Sequence, residues 1–274
     1  MSNEKTGQKA ADDFRLEFDL GVKPVVSMAR LIEQAMGIGV AYVDADAPGH
    51  GMTMRLGDRH MMSVGCTEHP MRLRSTLAHE LGHLRLSSVD RYLGHGEWDE
   101  RTPDEIQADS FARHLLVPLD AVRAAARKIV ATTALLSDLV QRYMASPNIV
   151  AIQLRDVQAI DQDTFREWSK LSSGRLATQF GWHAEYEALV AQTKKPRAPQ
   201  ALLARAIDGY RWNLVTPATI ARLDGQRDPR MVVEQLKAEG IVPVGADEGA
   251  AERPKDVGEG LTPEEVALLM SGTD

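Results

Sequence analysis

Residues 79–83 read His79-Glu80-Leu81-Gly82-His83, two imidazoles and a carboxylate in a run otherwise made mostly of leucine, alanine and glycine. On a helix, histidines at i and i+4 project only about 40° apart around the axis, so both can reach one cation. Glu80 is turned roughly 100° from His79, beside such a cation rather than on it, where a carboxylate can take a proton from water. The competing reading is a solvated stripe, because Arg72, Thr76, His79 and His83 line up opposite Leu73, Leu77, Leu81 and Leu84.

A catalytic site with two histidines takes its third ligand from a carboxylate on a second helix and keeps one position open. The segment "RTPDEIQADSFARHLLVP" supplies Glu105 and Asp109, one helical turn apart. Glu105 is the candidate third ligand, and Asp109 the residue that orients a liganding histidine from behind. Glu105 also completes the capping box Thr102-Pro103-Asp104-Glu105, which would account for it without any metal. Capping does not account for Asp109, a poor helix former in mid-helix beside Ala108.

Composition sets the frame for this chemistry. The chain has 274 residues, 43% hydrophobic and 26% charged, enough for one large domain or two small ones. A net charge of -7 argues against a surface built to neutralise phosphates, so nucleic acid is not the default partner. With Cys66 the only cysteine, no intrachain disulfide forms and a metal site must rest on His and carboxylate. Cys66 itself reads as a small packing residue. No apolar core follows the N-terminal charges and no run of about 18 apolar residues occurs, so the expectation is a cytoplasmic protein with no membrane partner.

The elements that must position these residues are legible in outline, and the fold class they imply is α+β, mostly helical. A polar leader (1–20) precedes a domain (21–125) that carries both motif segments. "KPVVSMARLIEQAMG" carries apolar residues at helical spacing, and "GVAYVD", "MTMRL" and "HMMSVG" read as three short strands. From "PMRLRSTLAHELGHLRLSS" onward nearly everything is helical. Residues 126–193 include "TALLSDLVQRYMASPNIVAIQLRDVQAI", with the outline of a helix-turn-helix and Ser146 as its N-cap. Its candidate base readers, Asn148, Gln153 and Arg155, stand against Asp138 and Asp156, which favours a structural or protein-docking role over DNA contact. A linker (194–200), a helical module (201–245) and a disordered tail (246–274) with a short terminal helix complete the chain.

The paired segments "RLRSTLAHELGHLRL" and "EIQADSFARHLLVP" resemble the ImmA/IrrE family of metallopeptidases. Arg72, Arg74, Thr76, Ala78, His79, Glu80 and His83 fill its first pattern, and Glu105, Ala108, Asp109, Phe111, Ala112, Leu115, Leu116 and Pro118 the second. Ser75 departs from it, where the family often has an aromatic residue. The resemblance implies a gluzincin-like zinc-peptidase fold, Zn²⁺ held by His79, His83 and Glu105 with Mn²⁺ as an alternative, and Glu80 activating water. It implies a protein substrate, a repressor with a helix-turn-helix domain whose removal switches on mobile-element or stress-response genes. The alternative is a non-proteolytic antirepressor or toxin-antitoxin component that binds protein or DNA.

Zinc peptidases of this architecture commonly bind substrate as an added antiparallel strand beside the active-site helix, through main-chain hydrogen bonds. His60, Met61, Met62 and Ser63 are the candidate edge strand, with an inner strand as the other reading. Tyr92, His95 and His60 are the candidates for a donor that stabilises the transition state.

Overall fold

The computed structural model describes residues 2–56, 59–86, 102–127, 129–225 and 228–245. Tyr92, His95 and the C-terminal segment read as a terminal helix lie outside the described residues. The elements run α1 (Asn3–Glu17), α2 (Met28–Met36), β1 (Gly39–Val43), β2 (Gly51–Leu56), β3 (Arg59–Gly65), α3 (Pro70–Arg85) and α4 (Pro103–Leu116). There follow α5 (Leu119–Ala126), α6 (Thr133–Tyr143), α7 (Pro147–Asp156), α8 (Gln162–Trp168), α9 (Ser173–Gln179) and α10 (His183–Thr193), then α11 (Gln200–Arg211), α12 (Pro217–Leu223) and α13 (Pro229–Ala238). The fold is α+β and mostly helical, with one three-stranded sheet.

The leader read as merely polar is a packed helix. Ser2 caps α1 by accepting from the Lys5 amide, and the spacing of Gly7, Ala11 and Phe14 gives it one apolar face, which is buried. That face lies along α4, where Phe14 meets Phe111 edge to face at 6.0 Å. Polar contacts reinforce the pairing: Ser110 donates to the Glu4 carbonyl, and Arg113 pairs with the Glu4 carboxylate at 2.6 Å.

The strand order is β1-β3-β2, with β1 parallel and β2 antiparallel to β3. His60, Met61, Met62 and Ser63 therefore sit on the central strand, which corrects their reading as the sheet edge. The cause is the crossover: β1 pairs with β3 along Gly39–Val43, so the short β2–β3 hairpin places β2 outermost. Among the described residues no strand pairs with the other edge of β2.

A continuous core runs from Ala11 through Leu77 and Phe111 to Trp182, and a second, smaller one joins Ala206, Tyr210, Ile220, Val232 and Leu236. The stretch read as a linker touches the sheet, since Arg197 and Tyr42 exchange both main-chain hydrogen bonds. In the helix-turn-helix segment Ser146 caps α7 as expected, by accepting from the Ile149 amide. Gln153 is fully buried and donates to the Val117 carbonyl, and Arg155 pairs with Asp156 and stacks on Phe165. Of the three candidate base readers, Gln153 is thus engaged inside the protein, while Arg155 pairs with its neighbour at the surface. Among the described residues no helix is long and apolar enough to cross a membrane.

Candidate metal centre

Helix α3 starts at Pro70, whose fixed φ suits the first helical position, and buries Leu73, Leu77 and Leu81 completely. The opposite face then presents His79 and His83 toward α4. Gly82 lets the two helices close: a Cβ there would lie 3.1 Å from both the Ala108 Cα and the Phe111 ring. Helix α4 is capped by Thr102, whose hydroxyl accepts from the Glu105 amide. The Glu105 carboxylate points to the histidines, with Oε2 3.1 Å from His79 Nε2 and Oε1 3.2 Å from His83 Nε2. The Thr102 cap thus engages only the Glu105 amide, which any residue but proline would supply, while the Glu105 carboxylate lies against the histidines.

The two Nε2 atoms stand 2.9 Å apart. Donors each about 2 Å from one shared cation stand roughly 3 Å from one another, and all three ligand atoms here lie within 4.8 Å. Two imidazole nitrogens and a carboxylate oxygen are a donor set that suits zinc, so the residues fit the ion their spacing implies. Asp109 Oδ1 is 2.9 Å from His79 Nδ1. A carboxylate can only accept, so Nδ1 carries the hydrogen and Nε2 is the nitrogen that faces the ligand cluster.

Electrostatics point the same way. Burial alone would lower the His79 pKa, but Asp109 and Glu105 outweigh it and push it up to about 10. Burial would raise Glu105, yet His79 and His83 bring it down to about 2. The cluster favours positive charge between the imidazoles and the carboxylate, which a divalent cation supplies in concentrated form.

Glu80, on the same helix, lies against β2. Thr53 Oγ1 donates to Glu80 Oε2 at 2.8 Å, a contact the sequence reading missed because nothing local to "MTMRL" marks it. Gly51 lies against the same side chain: a Cβ there would fall 2.6 Å from Thr76 Cγ2 and 2.9 Å from Glu80 Cγ. His60 pairs across the hairpin with Arg55 on the strand register and does not join the ligand cluster. Cys66 is half-buried, its thiol pushed up to about 11 by burial and then by Asp44, in keeping with an unreactive packing residue. His114 is buried against Gln153, with burial lowering its pKa to about 4.

Residues 34–155 match the peptidase M78 family model, described as the IrrE N-terminal-like domain. That stretch is an ImmA/IrrE-family peptidase domain. The matched region of the M78 domain takes in the sheet, both ligand helices and the helix-turn-helix pair, whereas α1 and everything after α7 lie outside it. No curated protein matches the chain.

Proposed function

We propose that the protein is a zinc-dependent endopeptidase of the cytoplasm whose substrate is a regulatory protein of the helix-turn-helix repressor type. The observation that carries this reading is the convergence of His79, His83 and Glu105 on one point, with Glu80 on the same helix held against β2, whose outer edge no strand among the described residues covers. His79, His83 and Glu105 would hold the zinc ion, with Mn²⁺ as the alternative occupant. When bound, the ion supplies a Lewis acid that polarises the scissile carbonyl and makes water acidic enough to lose a proton near neutral pH.

The chain's own residues supply the rest. Asp109 fixes the tautomer and ring orientation of His79. An extended substrate segment pairs with the outer edge of β2 through main-chain hydrogen bonds, which demands little of its side chains and suits cleavage at one accessible stretch of a folded protein. Glu80 accepts the proton of the attacking water at its carboxylate and passes it to the departing amine. The burial of Gln153, which donates to the Val117 carbonyl, supports a protein-directed function over DNA reading.

The test is to establish whether a neighbouring open reading frame encodes a small helix-turn-helix repressor and to incubate that repressor with the purified zinc-loaded protein. Wild type should cleave that repressor and stop when a chelator is added. Glu80→Gln should retain zinc and lose cleavage by about a hundredfold to ten-thousandfold. Cleavage by Glu80→Gln at the wild-type rate would refute the mechanism.

A further inference from the structure

We propose that Thr53 is the positioning residue for Glu80, so that the strand offering its edge to substrate also sets the aim of the base; this rests on the reading of Glu80 given above. The first observation is the chemical setting of Thr53. It stands opposite Met62 on the β2–β3 register, on a sheet face whose neighbours Met62 and Val64 are buried and apolar. A hydroxyl on such a face needs a partner, and its partner is Glu80 Oε2 at 2.8 Å.

The second observation is steric. A glutamate side chain has three rotatable bonds, and from α3 it could turn toward the imidazoles and compete with Glu105 for their nitrogens. Two points on β2 prevent this. The backbone of Gly51 packs against the Glu80 side chain, where a Cβ would fall 2.9 Å from Cγ and 3.1 Å from Oε1, and Thr53 donates to Oε2, so the base role falls to Oε1. The strand is itself fixed to α3 one turn earlier, where Thr76 Oγ1 donates to the Gly49 carbonyl at 2.8 Å and Thr76 Cγ2 fills the space beside Gly51. Strand and base therefore form one unit, and a peptide that docks on the edge of β2 meets a carboxylate already oriented by the same strand.

Thr53→Val is nearly isosteric and removes only the hydroxyl, Thr53→Ser keeps it, and Thr53→Ala provides a second deletion should valine disturb the strand. The readout needs no natural substrate. Acetohydroxamic acid binds metal through two oxygens and gives up its proton to a neighbouring base, so its affinity reports an oriented Glu80. Its dissociation constant is measured on the full-length cobalt-substituted protein from the change in visible absorption, with Glu80→Gln alongside and metal affinity determined by chelator competition. Thr53→Val and Thr53→Ala should weaken hydroxamate binding about tenfold or more with metal affinity unchanged, and Thr53→Ser should stay close to wild type. If Glu80→Gln weakens binding and neither Thr53 deletion does, Thr53 is idle and the proposal falls while the role of Glu80 stands. If Glu80→Gln itself has no effect, the reading of Glu80 falls and this proposal with it.

Discussion

Gly7 on α1 and Gln107 on α4 approach so closely that the Cβ which Gly7 lacks would lie 2.2 Å from the Gln107 carbonyl oxygen. The same atom would meet Ser110 Cβ at 2.8 Å and the Phe111 amide at 2.9 Å. Gly7 is what allows α1 to lie flush on the helix that carries Glu105 and Asp109. Arg15 donates to the Leu115 carbonyl and Glu17 pairs with Arg85, so α1 ties the end of α4 to the end of α3.

Gly7→Ala should therefore cost about 1 to 3 kcal/mol through overpacking, lowering Tm by roughly 2 to 4 °C per kcal/mol, and should weaken zinc binding as α4 shifts. Ile220→Ala, in the second core, should lower stability without changing zinc affinity. Chelator competition on both variants separates the outcomes. Equal zinc affinity for Gly7→Ala and wild type would mean that α1 does not help to place Glu105.

Asp109→Ala should weaken zinc binding by about tenfold to a hundredfold, because His79 loses the acceptor that fixes its tautomer. The Asp109 side chain is 56% exposed, so folding stability should change by no more than about 0.5 kcal/mol. Paired measurement of zinc affinity and of urea midpoint in excess chelator checks both halves.

The legibility of this site follows the range of the interactions. His79, Glu80 and His83 are neighbours on one helix, and Glu105 and Asp109 on another, so 3.6-residue periodicity exposes each set. The strand order is not local: β1 pairs with β3 across β2, and no property of "HMMSVG" alone says which side is covered. Helix α1 reads as polar because its buried face amounts to Gly7, Ala11, Phe14 and Arg15, and its packing partner lies about a hundred residues away in sequence. Thr53 is likewise one threonine in a strand, ordinary until α3 brings Glu80 against it. Gln153 looks available for recognition until Val117 takes its amide.

The metal-free chain should show its site in its pH dependence. His79, raised from 6.5 to about 10, contributes stability that is fully present below pH 6.5 and is lost as pH rises toward 10. Glu105, depressed from 4.5 to about 2, contributes stability present above pH 4.5 and lost as pH falls toward 2. The cluster therefore stabilises the metal-free fold most between about pH 4.5 and 6.5. Denaturation in excess chelator across pH should give that window, and His79→Ala should flatten both limbs. Zinc binding must expel a proton from His79, so zinc affinity should climb with pH through neutrality. Calorimetry in buffers of different ionisation enthalpy would count the proton released, and a count of zero at pH 7 would contradict the raised pKa.

Arg74 offers the sharpest test of how the ligand helix is held. It is buried on α3, where burial lowers its pKa to about 10 and leaves it charged at neutral pH. Its Nε donates to the Met144 carbonyl at 3.0 Å, Nη1 to the Val26 carbonyl at 3.0 Å, and Nη2 to the Val25 carbonyl. One side chain thus joins α3 to the segment before α2 and to the end of α6. Arg74→Ala would strand three carbonyls and open a cavity, so a loss of about 3 to 5 kcal/mol is expected, a Tm decrease on the order of 10 °C. Arg74→Lys should recover only part of it, because a single ammonium lacks the planar fork that reaches three divergent acceptors. If lysine restores full stability in thermal denaturation, the guanidinium geometry is not what holds α3, and charge alone accounts for the residue.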